Sequence, residues 1–152
     1  MKILDKKGYT LMEIMIVVII IGILSAAAIP YYKDHIERQK SATGITVMRM
    51  IGDSVERYMT LHGETLPENF DFTKLDLDID HSKLSPDFES YIDGDFIFTI
   101  SNNAVNAARN TGDIQRIPYT LSYSLGDDVG AISCESSTEN YCTDTLHITC
   151  GS

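Results

Sequence analysis

The sequence predicts an α+β protein, with one long N-terminal helix and a small antiparallel sheet of 3–4 strands. Three observations carry this. Leu11 to Ile29 is a run of 19 residues with a single charge, Glu13. Residues 31–61 are polar with an apolar stripe at steps of three and four, Val47 or Met48, Ile51, Val55, Tyr58 or Met59, which marks one face of a helix. After residue 95 the pattern changes to short runs of β-branched and aromatic residues with period 2.

The helix is expected from Tyr9 to about Leu61, roughly 80 Å at ~1.5 Å per residue. Its apolar half is expected to protrude and its amphipathic half to pack on the sheet. The apolar run alone is about 28 Å long, just enough to span a hydrocarbon layer. Gly22 and Pro30 are its weak points, and Pro30, which lacks an N–H, should kink or loosen the helix. Gly63 is a fair C-cap.

Glu13 is the most informative residue in this half. A carboxylate at the centre of a membrane helix costs roughly 2.5–3.5 kcal/mol on insertion scales. Nearer the cytoplasmic end the cost is smaller, but a plain anchor has no need to carry it. A positive partner from another chain would offset it. The segment therefore reads as built for two environments, first a bilayer and then a packed assembly. The lysines of Met-Lys-Ile-Leu-Asp-Lys-Lys-Gly at 1–8 favour cytoplasmic retention of that end and translocation of the rest.

Residues 64–94 read as an irregular connector with turns at Leu66-Pro67-Glu68-Asn69, Ser85-Pro86-Asp87 and Asp93-Gly94-Asp95. Strands are expected at Phe96–Ile100, more weakly at Val105–Arg109, at Ile117–Leu125 and at Gly130–Cys134, with a turn at Gly126-Asp127-Asp128. In the third, Tyr119, Leu121, Tyr123 and Leu125 share a face.

Composition limits the function. After residue 60, 16 Asp/Glu face 4 Lys/Arg. So acidic a surface repels phosphate backbones and anionic headgroups, so no nucleic-acid partner is expected. No Ser/His/Asp or Cys/His set with a recognisable elbow or base is visible, so no catalytic residue and no enzyme activity are expected. No cofactor or metal site is expected either. His35, His62, His81 and His147 have no ligand spacing. Leu75-Asp76-Leu77-Asp78-Ile79-Asp80, with Asp93 and Asp95, raises the question of calcium. An EF-hand counted from Asp76 would need glycine where His81 stands, so solvated carboxylates at a strand edge or turn are the expectation.

Cys134, Cys142 and Cys150 fall in the last 19 residues, without a Cys-x-x-Cys pair. Export would place them in an oxidising compartment, where one disulfide is expected and one thiol is left over. The equal spacing of eight residues gives loop closure no way to choose between the two short loops.

Gly8-Tyr9-Thr10-Leu11-Met12-Glu13, Gly22 and Ala-Ala-Ala-Ile-Pro-Tyr-Tyr at 26–32 together resemble the N-terminus of type IV pilins and type II secretion pseudopilins. The resemblance implies a pilin-like fold. It implies a leader, 1–8, cut by a prepilin peptidase between Gly8 and Tyr9, with N-methylation of the new Tyr9 amine. It implies a transmembrane and filament-core helix at 9–29, with Glu13 setting register, Gly22 and Pro30 giving flexibility, and a head at 30–152. The implied partners are further copies in a helical filament, the inner membrane, the peptidase and an inner-membrane assembly platform. The implied location is the inner membrane, single-pass, and then an extracellular pilus or periplasmic pseudopilus. Pilins with a C-terminal cysteine-bounded loop point to Cys134–Cys142, with Cys134–Cys150 as the alternative. Tyr9, where the family usually has Phe, and the third cysteine depart from the pattern. A type II secretion pseudopilin is the alternative function. A soluble exported domain behind a Sec signal peptide, cut after Ala26-x-Ala28, is the alternative of another class, opposed by Glu13 early in the run and Pro30 just after the cut.

Overall fold

A computed structural model describes residues 8–63, 66, 70–101, 103–110, 117–125, 130–138 and 140–148. The leader up to Lys7, the turn expected at 126–128 and Cys150 lie outside the described residues. Contacts divide the chain into two compact units, the first ending at Ile36 and the second starting at Glu37. Helix α1, Leu11–His62, supplies residues to both.

The first unit is helix from Leu11 onward, and every described residue up to His35 is exposed. The helix starts two residues later than the sequence predicts, because Thr10 caps it. It is assigned without a break through Gly22 and Pro30.

The second unit holds a five-stranded antiparallel meander in the order β1-β2-β3-β4-β5. The strands are β1 Ser90–Asp93, β2 Phe96–Ser101, β3 Ala104–Arg109, β4 Tyr119–Ser124 and β5 Ile132–Ser136. Their order in space follows the chain, as consecutive short hairpins favour. One core row crosses all five: Tyr91 pairs with Phe98, Phe98 with Ala107, Ala107 with Leu121 and Leu121 with Cys134. The opposite face is small and polar apart from the Ile92–Ile97 pair. There Ser122 Oγ donates to Asn106 Oδ1 at 2.8 Å, and Asn106 Nδ2 donates to Ser101 Oγ at 3.1 Å.

Two expectations need correction. The sheet has five strands, not 3–4, because Ser90–Asp93 pairs with β2 instead of ending the irregular connector. Ser-Tyr-Ile-Asp is too short to show an alternation, and pairing recruits it, with β2 on one side and a Leu84–Tyr91 bridge on the other. The last strand lies two residues beyond Gly130–Cys134. Gly130, at φ +91°, belongs to a turn in which its N–H donates to Ser124 O at 3.3 Å. The connector also contains two 3₁₀ turns, Phe72–Lys74 and His81–Lys83, which Asp71 and Asp80 cap through their side chains.

Within the second unit, α1 buries Ser41, Gly44, Met48, Ile51, Gly52, Ser54 and Val55. The central residues of the predicted stripe are therefore its core face. Two glycines let the helix approach the sheet. A Cβ on Gly44 would stand 3.0 Å from the Phe96 ring, and one on Gly52 would stand 2.5 Å from the Tyr123 ring. At the end of α1, Gly63 takes φ +65° and donates to Met59 O at 2.8 Å, as a C-cap glycine does. Phe70, Phe72, Phe98 and Leu121 fill the core.

Candidate functional site

The first unit carries the residues singled out for processing and assembly. Gly8, Tyr9 and Thr10 precede the helix and are exposed. Thr10 and Glu13 form a reciprocal pair. The Glu13 N–H donates to Thr10 Oγ1 at 3.3 Å, while the Thr10 N–H donates to Glu13 Oε2 at 3.0 Å. The Thr10 hydroxyl donates to the same oxygen at 2.8 Å. This is a capping box, which satisfies N–H groups that a helix start otherwise leaves bare. The sequence reading missed it. Its signal, Thr-x-x-Glu ahead of an apolar run, was in plain view at 10–13.

Gly8, Tyr9 and Glu13 thus sit within about one turn of each other, whereas Gly22 and Pro30 lie on later turns. A Cβ on Gly22 would meet nothing within 4 Å. Large apolar side chains from Leu11 to Ile29 are exposed all round. Even the least exposed of them, Ile16, keeps 49% of its surface open. An apolar surface this continuous requires lipid or protein around it. By length and composition α1 is able to cross a membrane.

The second unit contains a buried polar centre that the sequence reading did not anticipate. Val105, Ala107 and Arg109 share the core face of β3. The Arg109 side chain is fully buried and reaches Glu37 Oε1 at 2.5 Å, Asp95 Oδ1 at 3.0 Å and Asp95 O at 2.5 Å. Tyr119 donates to the same Glu37 oxygen at 3.1 Å, and Lys40 pairs with Asp95 at 2.6 Å. Burial raises the Tyr119 pKa, with Glu37's negative charge adding to the effect. A charge on the core face of a strand must find a partner or lose its charge. Arg109 at the end of a period-2 pattern was therefore the legible half of this pair. Glu37, 72 residues away, was not.

Cys134 on β5 is bonded to Cys142 on the short helix α2, Tyr141–Asp144, and both are buried. The same tail is held from α1, where Arg38 Nε donates to Thr145 O at 2.5 Å. Cys150, the other half of the alternative bridge, lies outside the described residues.

Four of the acidic residues behind the calcium question, Asp76, Asp80, Asp93 and Asp95, are engaged by the chain itself. Asp76 accepts from Arg57 Nε at 3.0 Å and Nη2 at 2.8 Å, and from Ser54 Oγ at 2.5 Å. These bonds, Arg57's first, pull its pKa down to about 2. Asp93 pairs with Lys83 at 2.7 Å. Asp71, Asp80 and Asp87 accept from nearby hydroxyl and backbone N–H groups, which lower their pKa values. Among the described residues no group of three or more His, Cys, Asp or Glu is placed to hold a metal ion.

A family profile described as "Prokaryotic N-terminal methylation motif" matches residues 4–29. The type IV major fimbrial protein FimA of Dichelobacter nodosus is 57% identical over 42 residues, 28% of this chain and 26% of that protein. The type IV major pilin protein PilE1 of Neisseria gonorrhoeae is 41% identical over 64 residues, 42% of this chain and 38% of that protein. A fimbrial protein of Neisseria meningitidis serogroup B is 41% identical over 59 residues, 39% of this chain and 35% of that protein. The matches thus span from about a quarter to two fifths of these relatives' lengths. No solved structure matches the chain. The chain therefore carries, at its N-terminus, the prepilin-type motif of the type IV pilin family.

Proposed function

We propose that this chain is a structural subunit of a type IV pilus-like extracellular filament that serves adhesion, motility or surface attachment. The observation that carries the reading is the helical surface at 11–29, apolar all round, exposed and charged only at Glu13. A prepilin peptidase removes residues 1–8 and the new Tyr9 amine is methylated. Residues 9–29 hold the subunit in the inner membrane until an assembly platform draws it into the filament, where the same surface packs against other copies. Glu13 sets register there, because leaving its charge unpaired among apolar side chains is strongly disfavoured. Gly22 and Pro30 give the packed helix room to bend. The relatives' printed names, fimbrial protein and major pilin, favour a pilus over the type II secretion pseudopilus.

The test has two parts. N-terminal sequencing of the mature protein should begin at Tyr9, whereas a Sec-type cut after Ala28 would begin at Ile29. Glu13→Ala should reduce filament yield severely while membrane insertion stays intact. Filaments at the normal level from that variant would remove Glu13 from assembly.

A further inference from the structure

We infer that Thr10 is a positioning residue for leader removal: by capping α1 it keeps the Gly8–Tyr9 peptide out of the helix. The inference rests on the reading that this bond is the one cut. Two independent observations meet here, the hydrogen-bond geometry and a methylation-motif match that spans the same residues, 4–29.

Two N–H groups decide where the helix begins. In the structure the first backbone bond of the helix runs from Ile14 N to Thr10 O at 3.4 Å. Were the helix to extend backwards, Glu13 N–H would bond the Tyr9 carbonyl and Met12 N–H would bond the Gly8 carbonyl, by the i to i−4 rule. The second of these is the carbonyl that hydrolysis must attack. Thr10 prevents the first step, because its hydroxyl already accepts from Glu13 N–H at 3.3 Å. Glu13 reinforces the arrangement by accepting from the Thr10 N–H at 3.0 Å. The peptide before the cap therefore stays outside the helix, with Tyr9 84% exposed. Hydrolysis adds water across the Gly8–Tyr9 C–N bond, leaving a carboxylate on Gly8 and an ammonium on Tyr9. Accessible non-helical backbone is where such cleavage concentrates.

This separates two roles for Glu13. Its capping role needs only an acceptor that reaches Thr10 N–H, and glutamine supplies one. Its register role needs the charge.

The experiment uses the full-length precursor in detergent micelles with purified prepilin peptidase and follows leader release by mass spectrometry. Thr10→Val removes the cap and keeps the volume. Its kcat/KM should fall roughly fivefold, the factor a typical N-cap loss corresponds to. Thr10→Ser should restore the wild-type rate within about twofold, as an equivalent cap. Thr10→Gly should stay close to wild type, since glycine caps nearly as well without any side chain. Glu13→Gln should also be cut within about twofold of wild type. In parallel, the Cα chemical shifts of Gly8 and Tyr9 should move toward helical values in Thr10→Val alone.

Cleavage of Thr10→Val at the wild-type rate would overturn the proposal. So would slow cleavage of Thr10→Gly, which would mean that the peptidase contacts the threonine side chain directly. Slow cleavage of Thr10→Val with unchanged Gly8 and Tyr9 shifts would overturn it as well. A wild-type precursor that is not cut at Gly8–Tyr9 is a different result, which removes the underlying reading.

Discussion

Residues 11–29 and 37–62 are assigned to one helix, yet they meet the problem of apolar surface in opposite ways. The first stretch is apolar on every side and buries nothing within the chain. The second is one-sided, and its core face, from Ser41 to Val55, is closed by the chain's own sheet. Gly44 and Gly52 appear on that face where Phe96 and Tyr123 come close, and Met48, Ile51 and Val55 appear where side chains fill the core. The first stretch shows no such sorting, and its residues are exposed throughout. The difference shows that helical sequence alone does not say what a helix is for. The arrangement of its apolar residues around the axis says whether the partner is its own chain or something else.

The largest effect expected on the second unit is from Glu37→Ala. It leaves the buried Arg109 guanidinium with the carboxylate of Asp95, which Lys40 shares, and removes the acceptor of Tyr119. Breaking a buried pair on one side costs about 3–5 kcal/mol. Urea titration of the full chain in detergent should show that loss, while membrane insertion through 11–29 stays as in wild type. A loss under about 1 kcal/mol would mean that water reaches Arg109 and that the centre is not sealed.

Removing the Cys134–Cys142 bond comes next. It closes a short loop, worth about 2–3 kcal/mol in the chain-entropy description. Hydrogen exchange after reduction should rise in β5, α2 and the segment up to Ile148, and stay unchanged in 11–36.

A pair of alanine substitutions compares the two stretches directly. Gly52→Ala brings a methyl to 2.5 Å from the Tyr123 ring, an overpacking effect of about 1–3 kcal/mol, partly offset by about 1 kcal/mol of helix propensity. Gly22→Ala meets nothing within 4 Å, so in the unassembled chain only the propensity gain remains. Melting both variants in detergent should give opposite signs. Loss of filaments from Gly22→Ala despite a stable subunit would place another copy close to Gly22.

The smallest effect is on pH dependence. Arg57 and Ser54 hold Asp76 near 2 in the folded chain, against an ordinary value of 3.8. A lowered folded-state pKa contributes stability that is fully present above about 3.8 and is lost as pH falls through about 2. Asp71, Asp80 and Asp87 shift in the same direction. Stability of the second unit should therefore be flat above about pH 5 and decline between about 4 and 2. Arg57→Gln should shrink the Asp76 part of that decline.

The N-terminal segment could be read from sequence because its information is local. An apolar run with one carboxylate is a property of consecutive residues, and the helix it predicts does not depend on distant ones. The capping box belongs to the same class, with Thr10 and Glu13 three positions apart. The strands at 96, 104 and 119 were legible for the same reason, since a period of two is a property of a few consecutive residues. What needed the tertiary structure was everything joined across the chain. β1 is a strand because β2 lies beside it. Glu37 is the partner of Arg109 because the helix and the end of β3 meet. Cys134 bonds Cys142 because α2 folds back onto β5, where equal spacing in sequence had left two choices open. Local pattern sets which backbone conformation each segment prefers. Which buried charges pair and which cysteines meet depends on contacts between distant residues, and these form only when the sheet closes over the helix.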